Sequence, residues 1–395
     1  MTPDDPVVIC GTARTPIGGF QGDFKDLTAP QLGAIAIRAA VERAGLAPDE
    51  IDEVLFGCVL PAGVGQAPAR QAAIGAGLRL STGATTVNKV CGSGMKAAML
   101  AHDLLLAGSA RVAVAGGMES MTNAPYLLDR ARAGYRLGHQ RALDHMFLDG
   151  LEDAYDKGRL MGTFAESCAR QYAFSRTEQD AYALESLKRA QKAGSDGTFA
   201  AEIVPVTVKQ GGTERVVSQD EQPLKAKPEK IPLLKPAFDE NGTVTAGNSS
   251  SISDGAAALV LMRRTEAERR GIVPKAVIVG HATWSQEPSL FTTAPIGAIR
   301  ALLERTGWTL DDVDLFEISE AFAVVALATM RDLRLPREKV NVHGGACALG
   351  HPIGASGARL IVTLLAALEK YGLKRGIASL CIGGGEAVAM AVERR

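Results

Sequence analysis

Apolar positions along the chain follow two alternating spacings. Short apolar stretches that are typical of buried strands occur at residues 7–10 and 111–115, and the second stretch is followed by Gly116. Between them, residues 31–44 repeat apolar side chains three and four positions apart and end at Gly45, which predicts a helix. Because strands alternate with helices, the pattern predicts an α/β protein with parallel sheets covered on both faces.

The same reading locates the cysteine-containing segments. Residues 85–90 are strand-like and lead into Cys91, after which the small residues of 93–107 predict a helix. Near the other end of the chain, residues 377–380 predict a strand that Cys381 follows. Both cysteines are therefore expected where a strand ends.

An internal repeat is visible in the sequence. Residues 41–52 align without gaps with residues 303–314. The segment beginning at Cys91 then falls opposite residues 354–357, and residues 113–117 fall opposite 380–384. Three matches in the same order predict two copies of one α/β unit, starting near residues 5 and 275. Chance similarity among Ala- and Gly-rich helices is the alternative.

The region between the two copies is more polar. It carries a charge-rich helical pattern at residues 177–193 and strand-like pieces at 203–209 and 214–218. We therefore predict three domains. They are a first half at 1–120, completed by 248–272, an inserted domain at 121–247, and a second half at 273–395.

Composition excludes several functional classes. The formal net charge of −1 over 395 residues gives no sign of binding to nucleic acid or to an anionic membrane. No apolar run reaches 18 residues, the first six residues do not resemble a signal peptide, and the last four are not a peroxisomal address. Six scattered cysteines are typical of reduced thiols. We expect a cytoplasmic protein.

Cys91 lies where a predicted strand meets a helix, with Gly92 and Gly94 after it. A helix N-terminus favours the thiolate and lowers the pKa of a thiol, and small neighbours let a substrate carbonyl reach a backbone amide. A buried structural cysteine is the alternative. Cys91 is thus a candidate nucleophile.

A histidine and a second cysteine lie in comparable glycine-rich settings. His351, in a loop predicted to enter a helix at Ser356, is able to take the thiol proton or to donate to a thioester oxygen, although a lone loop histidine is usually solvated. Cys381 could form a disulfide with Cys91 or move a proton to or from a carbon acid. The spacing of His and Cys residues fits no metal site, so we expect no metal.

Six segments in this order resemble the thiolase family. They are CGSG from Cys91, TAGNSS from Thr245, SEAF from Ser319, NVHGGA from Asn341, GHPIG from Gly350 and CIGGG from Cys381. The likeness runs from residue 7 to residue 392. It is closer to acetyl-CoA acetyltransferases and 3-ketoacyl-CoA thiolases than to ketoacyl synthases, which use a Cys-His-His set.

The resemblance implies a fold and a chemistry. The fold would be a five-layered αβαβα sandwich of two repeated halves with an inserted loop domain. Cys91 would be acylated, His351 would activate it, Cys381 would be the acid and base, and the amides of Cys91 and Gly383 would form an oxyanion hole in a ping-pong reaction. Acyl-CoA and coenzyme A would be substrates, with no tightly bound cofactor. Coenzyme A would lie against Met161, Leu234, Phe238, Ala246, Ser250 and Phe322.

The resemblance also implies an assembly, because residues 118–151 resemble the family's tetramerisation region. We expect a homotetramer, a dimer of dimers, with a dimer as the second choice. The lysines at 225, 227 and 230 could contact phosphates or belong to a solvated loop. His343 could support His351 or make a structural hydrogen bond.

Ser319 departs from the family pattern, which has Asn there to hold a water at the thioester oxygen. We expect an altered rate or substrate preference. Leu160 and Phe291 also differ from short-chain biosynthetic thiolases and leave acetoacetyl-CoA preference open. A thiolase-like protein that binds lipid-CoA with low activity is the alternative function, and another condensing enzyme of the same fold is a further one.

Overall fold

The computed structural model describes residues 4–394. Its strands are β1 (Val7–Arg14), β2 (Gly18–Gly19), β3 (Glu53–Gly57), β4 (Gly83–Val87), β5 (Val112–Ser120), β6 (Tyr126–Leu127), β7 (Leu143–Asp144), β8 (Val206–Gln210), β9 (Thr213–Val217), β10 (Ser253–Arg263), β11 (Ala276–Ser285), β12 (Leu315–Ile318), β13 (Arg375–Ile382) and β14 (Glu386–Glu393).

The helices alternate with these strands over much of the chain. They are α1 (Ala29–Arg43), α2 (Pro68–Gly75), α3 (Ser93–Leu106), α4 (Met161–Gln171), α5 (Arg176–Ser195), α6 (Glu221–Lys225), α7 (Arg264–Arg269), α8 (Ala294–Thr306), α9 (Ala323–Leu333), α10 (Ala346–Leu349) and α11 (Ile353–Lys370). None of the described helices is both long and apolar enough to cross a membrane.

Two similar strand arrays form the centre of the molecule. The first has the order β4-β3-β5-β10-β1, with parallel pairs around β3 and antiparallel pairs on both sides of β10. The second has the order β12-β13-β14-β11, again parallel at β12 and antiparallel on both sides of β14. A short antiparallel pairing of β1 with β11 joins the arrays. Their common topology confirms the repeat that the sequence predicts.

Helices cover both arrays and fill the space between them. The buried side chains of α1 and α2 pack on the outer face of the first array. Those of α3 and α11 share one apolar cluster with strands of both arrays, and α8 and α9 cover the outer face of the second. Helix, sheet, helix, sheet and helix therefore follow one another, which confirms the expected five layers.

Several expected element boundaries are wrong. The strand predicted to end at Gly116 continues as β5 to Ser120, because a Cβ at Gly116 would overlap the carbonyl of Ala257 and one at Gly117 the carbonyl of Gly354. These glycines permit close packing and do not form a turn. Cys381 lies within β13, opposite Ala387, and does not follow the strand. The helix expected at Ser356 begins at Ile353.

The polar region between the repeats is tied to the first array by buried charges. Arg14 on β1 pairs with Glu202 at 2.6 Å and with Asp220 at 2.7 Å, and all three side chains are almost fully buried. The chain rejoins the first array as β10. The domain limits remain predictions. Residues 1–3 and 395 lie outside the described residues, so the signal-peptide and peroxisomal-address expectations fall partly on residues that the structure does not describe.

Candidate active site

The three candidate catalytic side chains line one cavity of about 370 Å³ between the two halves and the inserted region. Its walls are mainly apolar, and α4, the turn after β13 and the loop before α11 contribute to them. The cavity brings together nine of the residues expected from the sequence: Cys91, Met161, Phe238, Ala246, Ser250, Phe322, His351, Cys381 and Gly383. Leu160 and Phe291, which depart from the short-chain pattern, line it as well.

A strained turn between β4 and α3 presents Cys91. Val90 has a φ of 47°, a left-handed conformation that is rare for a β-branched residue. The Asn88 side chain accepts a hydrogen bond from the Val90 amide at 3.0 Å, and the Ser93 hydroxyl donates to the Val90 carbonyl at 2.7 Å. The turn places Cys91 two residues before α3. Backbone strain of this kind concentrates at functional sites.

Burial dominates the electrostatics of the Cys91 thiol. It raises the pKa of Cys91 to about 11, although the amides of Gly383 and of Cys91 itself, which donate to the sulfur, act in the opposite direction. The lowered pKa expected from the helix N-terminus is therefore wrong for the free protein. Burial destabilises the Cys91 thiolate more than the two backbone amides stabilise it. Cys91 needs a base to become a nucleophile.

His351 has the form that such a base requires. Its Nδ1 lies 2.6 Å from the Ser356 hydroxyl, and that hydroxyl donates its own hydrogen to the Pro352 carbonyl at 2.9 Å. Because the hydroxyl has one hydrogen, it accepts from Nδ1–H, and Nε2 keeps its lone pair. Nε2 makes no hydrogen bond to the protein. Burial lowers the pKa of His351 to about 4, so the ring is neutral at neutral pH.

The sequence reasoning assigned no role to Ser356. It follows His351 by five residues, and it lies in the first turn of α11 facing back to the histidine. A serine near a helix start ordinarily indicates a cap. Its spacing from a candidate histidine was the signal that could have identified it.

Cys381 is buried in β13 beside the same cavity. Burial raises its pKa well above the ordinary value, and the nearby Cys91 acts in the same direction. Both sulfurs are free, as are the other four cysteines. The pair can therefore exchange a proton with bound substrate but does not form the disulfide that the sequence left open.

Close packing of glycines holds the start of α11 against the first half. A Cβ on Gly57, Gly94 or Gly117 would come too near the carbonyl oxygen of Gly354, at 2.6 Å for Gly57 and 3.0 Å for Gly94. Only glycine permits this approach of four backbone segments. The contact fixes the loop that carries His351 relative to the helix that begins after Cys91.

Glu119, which the sequence reasoning also missed, reinforces this junction. Its buried carboxylate accepts from the amides of Gly354 at 2.9 Å, Val59 at 3.0 Å and Leu60 at 3.1 Å. Burial raises the pKa of Glu119 to about 7 in spite of these donors. A charged residue inside the otherwise apolar strand β5 was the available signal.

Ser319 and Leu234 lie outside the cavity lining. Ser319 follows β12, is 1% exposed, and its hydroxyl has no protein partner. Leu234 lines an adjoining cavity of about 270 Å³ that shares Ala246 and Ser251 with the first. The same adjoining cavity is lined by the lysines at 225, 227 and 230, and Lys225 pairs with Glu221.

His343 does not make the structural hydrogen bond considered from the sequence. Neither ring nitrogen makes a hydrogen bond, and burial lowers the pKa of His343 to about 4. The ring packs near Phe199 and Tyr371, with centroid distances of 6.1 and 5.6 Å. His343 is a packing residue.

Comparison with known proteins matches nearly the whole chain to one family. Residues 7–265 match the family described as Thiolase, N-terminal domain, and residues 272–394 match Thiolase, C-terminal domain. An acetyl-CoA acetyltransferase of Chromobacterium violaceum is 47% identical over 98% of this chain and 99% of its own. Acetyl-CoA acetyltransferase 1 of Arabidopsis thaliana is 51% identical over 98% and 94%.

A solved structure shows the same likeness in three dimensions. The crystal structure of the Bacillus anthracis acetyl-CoA acetyltransferase superimposes with a TM-score of 0.96 at 43% identity, and the match covers 99% of each chain. An acetyl-CoA acetyltransferase structure from Syntrophomonas wolfei gives 0.96 at 40% identity, covering 99% of this chain and 100% of the other.

Proposed function

This chain belongs to the thiolase family, and from that premise we propose that it is an acyltransferase that cleaves 3-ketoacyl-CoA with coenzyme A and catalyses the reverse Claisen condensation. The observation that carries the proposal is the convergence of Cys91, His351 and Cys381 on one apolar cavity. A nucleophile, a neutral base and a second thiol are the groups that this chemistry requires.

In the cleavage direction, His351 Nε2 takes the proton of Cys91 as the sulfur attacks the keto carbonyl. The developing oxyanion is stabilised by the backbone amides of Cys91 and Gly383. In the free protein both amides already donate to the Cys91 sulfur. Ser356 holds the tautomer that leaves Nε2 unprotonated. The tetrahedral adduct then collapses, and the carbon–carbon bond breaks.

Collapse leaves an acyl group on Cys91 and the enolate of acetyl-CoA. Cys381 gives its proton to the enolate carbon and becomes a thiolate, which the proton of the incoming coenzyme A thiol restores. That coenzyme A then attacks the acyl-Cys91 and carries the acyl group away, and the released Cys91 thiolate takes back the proton that His351 Nε2 has held. Because one cavity serves both half-reactions, the order is ping-pong. The raised pKa of Cys381 keeps it protonated until a carbanion needs the proton.

Coenzyme A would occupy the two adjoining cavities. Its reactive pantetheine arm would contact Met161, Phe238, Ala246, Ser250 and Phe322. Leu234 and the three lysines line the adjoining space, where positive charge favours phosphate groups. No other cofactor is needed for the chemistry.

The weaker candidate is a lipid-CoA binding protein with low activity. It rests on Ser319, which replaces the amide side chain that the family uses to hold a water. A serine hydroxyl without a protein partner can still bind water. The intact set of two thiols and a histidine favours the enzyme.

We further propose a cytoplasmic homotetramer that acts in fatty acid metabolism. Free cysteines suit a reducing compartment. The segment between β5 and α4 exposes Tyr126, Leu128 and Leu137, with 93% of Leu137 accessible in the single chain. Such apolar exposure is typical of an interface between subunits. Light scattering of the purified protein will give four chains, and a monomer would contradict this assembly.

The proposed activity is tested by measuring CoA-dependent cleavage of acetoacetyl-CoA and of a longer 3-ketoacyl-CoA. We expect turnover of at least one substrate and none with the Cys91→Ser variant. Absence of cleavage of both substrates by the wild-type protein would overturn the proposal. The ratio of the two rates reports how Leu160 and Phe291 shape the acyl end of the cavity.

A further inference from the structure

Two histidines and an aspartate meet outside the catalytic cavity, at the junction of the two halves. His102 and Asp103 lie on α3 of the first half, and His281 lies on β11 of the second. One ligand atom from each residue lies within 4.8 Å of the other two. The reaction described above uses none of these side chains.

The geometry suits a small divalent ion. His102 Nδ1 and His281 Nε2 are 3.3 Å apart, and each lies 2.9 Å from the same carboxylate oxygen of Asp103. Two ligands of a tetrahedral zinc ion with bonds of about 2.0–2.1 Å stand roughly 3.3–3.4 Å apart. The histidine nitrogens already have this separation, and the carboxylate needs to move by only a few tenths of an ångström.

The surroundings hold the ligands in place but leave an entry path. Both histidine rings are buried and meet edge to face at a centroid distance of 5.0 Å, so their positions are set by packing. The Asp103 side chain is 55% exposed and free to adjust. Arg305 donates to the His281 carbonyl at 2.7 Å and brings a positive charge, which the Asp103 carboxylate offsets.

We propose that His102, Asp103 and His281 form a binding site for a zinc-class divalent cation, with water as the fourth ligand. Two imidazoles and one carboxylate are a ligand set that zinc prefers to magnesium or calcium. The ion would replace the hydrogens that the imidazoles now donate to Asp103. Since the ligands come from both halves, binding would stabilise the junction between them.

The proposed metal site is separate from the active-site thiols. His102 lies nine residues beyond the start of α3, a distance of about 14 Å along the helix axis from the end that carries Cys91. The sequence could not indicate the site, because His281 is 179 residues away from His102. The expectation of no metal rested on local ligand spacing alone.

The test is cobalt binding by the full chain after treatment with a chelator. We expect one Co²⁺ per chain with the visible absorption of a tetrahedral complex and without the near-ultraviolet band of thiolate ligation. His281→Gln and Asp103→Asn each replace a direct ligand and should weaken binding by at least about 100-fold, the upper end for loss of an outer-shell partner. His139→Gln, which changes an exposed loop histidine, is the matched control and should bind as the wild type does.

A second measurement keeps the proposal falsifiable if one variant folds poorly. Zn²⁺ should raise the unfolding temperature of the wild type and of His139→Gln, but not that of Asp103→Asn, whose exposed side chain tolerates the change. Thiolate absorption bands alone, or equal binding by the wild type and both ligand variants, would overturn the proposal. Absence of any bound Co²⁺ would do so as well.

Discussion

The two halves of the molecule use the starts of their central helices for different chemistry. In the first half Cys91 lies two residues before α3, and in the second His351 lies two residues before α11. The turn before α3 depends on the left-handed Val90, whereas the His351 amide is held by the carbonyl of Ser251 and the hydroxyl of Ser253. One duplicated unit thus supplies a nucleophile and a base at two helix starts in the same central layer.

The strands that follow these helices differ in a complementary way. In the first half β5 carries Gly117 where α11 approaches, and in the second β13 carries Cys381 beside the cavity. In the first half, Gly117 has no side chain and so permits the close packing. In the second half, Cys381 supplies the thiol for proton transfer. The duplication therefore provides a common frame, and the active site arises where the copies differ.

The largest expected effect separates the two thiols. Cys91→Ser should reduce turnover by about 10⁴-fold or more and should not accept an acyl group. Cys381→Ser should lose turnover to a similar extent, but the protein should still be acetylated by acetyl-CoA, because the nucleophile and its base remain. Mass spectrometry of the intact protein distinguishes the two variants.

Cys10→Ala is the matched control for these substitutions, since Cys10 is a buried thiol in β1 away from the cavity. It should be acetylated and should turn over as the wild type does. Acetylation of Cys91→Ser at the wild-type rate would show that Cys91 is not the nucleophile. Full turnover by Cys381→Ser would show that Cys381 is not the acid and base.

The second prediction concerns how the second half sets its base. Ser356→Ala should lower kcat by about 100-fold with little change in KM, less than the roughly 10⁴-fold cost of a wholly wrong histidine tautomer. Ser356→Thr keeps the hydroxyl and should recover most of the activity. Ser379→Ala removes another buried serine hydroxyl, which donates to the Val388 carbonyl, and should leave kcat unchanged.

A purely structural role for Ser356 predicts a different result. Ser356→Ala and Ser379→Ala would then lower stability and activity together and to similar extents. Thermal unfolding measured beside the kinetics separates the two cases.

The sequence predicted the duplicated frame better than the details of the site. Local residue patterns were sufficient for α1, α5, β8 and β9 to be located within a few residues. The glycines at 116 and 117 were misread as a strand end, because glycine indicates a turn and a close approach equally well. Only the packed structure distinguishes these cases.

The residues that the sequence missed act through distant partners. Glu119 joins amides from residues 59, 60 and 354, and its role depends on a contact across 235 positions. The pKa of Cys91 was misjudged for a related reason, since the helix start is visible in the sequence but the degree of burial is not. Local pattern reveals candidate groups, and their ionisation depends on the surrounding fold.

The third prediction weakens the contact between the halves. Gly117→Ala should lower the free energy of unfolding by about 1–3 kcal/mol, because its Cβ overlaps the carbonyl of Gly354. Displacement of that segment also shifts His351, so turnover should fall. Urea unfolding and acetoacetyl-CoA cleavage measure the two effects.

Gly194→Ala is the control for this substitution. Gly194 lies in α5 with open space where a Cβ would stand, so alanine should stabilise the protein by about 0.5–1 kcal/mol. If Gly117→Ala were equally harmless, close packing of the halves would not be what positions His351.

The smallest expected effect is at Ser319, which follows β12 in the second half. Its buried hydroxyl has no protein partner, so Ser319→Ala should leave the free energy of unfolding within about 0.5 kcal/mol of the wild type. Ser319→Asn adds an amide that can hold a water for the thioester oxygen. We expect it to raise turnover about two- to fivefold, since an ordinary hydrogen bond is worth on the order of 1 kcal/mol. Steady-state cleavage of acetoacetyl-CoA by the two variants provides the comparison. Unchanged turnover in Ser319→Asn would mean that His351 and the amides of Cys91 and Gly383 stabilise the substrate oxygens without help from position 319. The residues at the starts of α3 and α11 and in the turn after β13 would then be sufficient for this stabilisation.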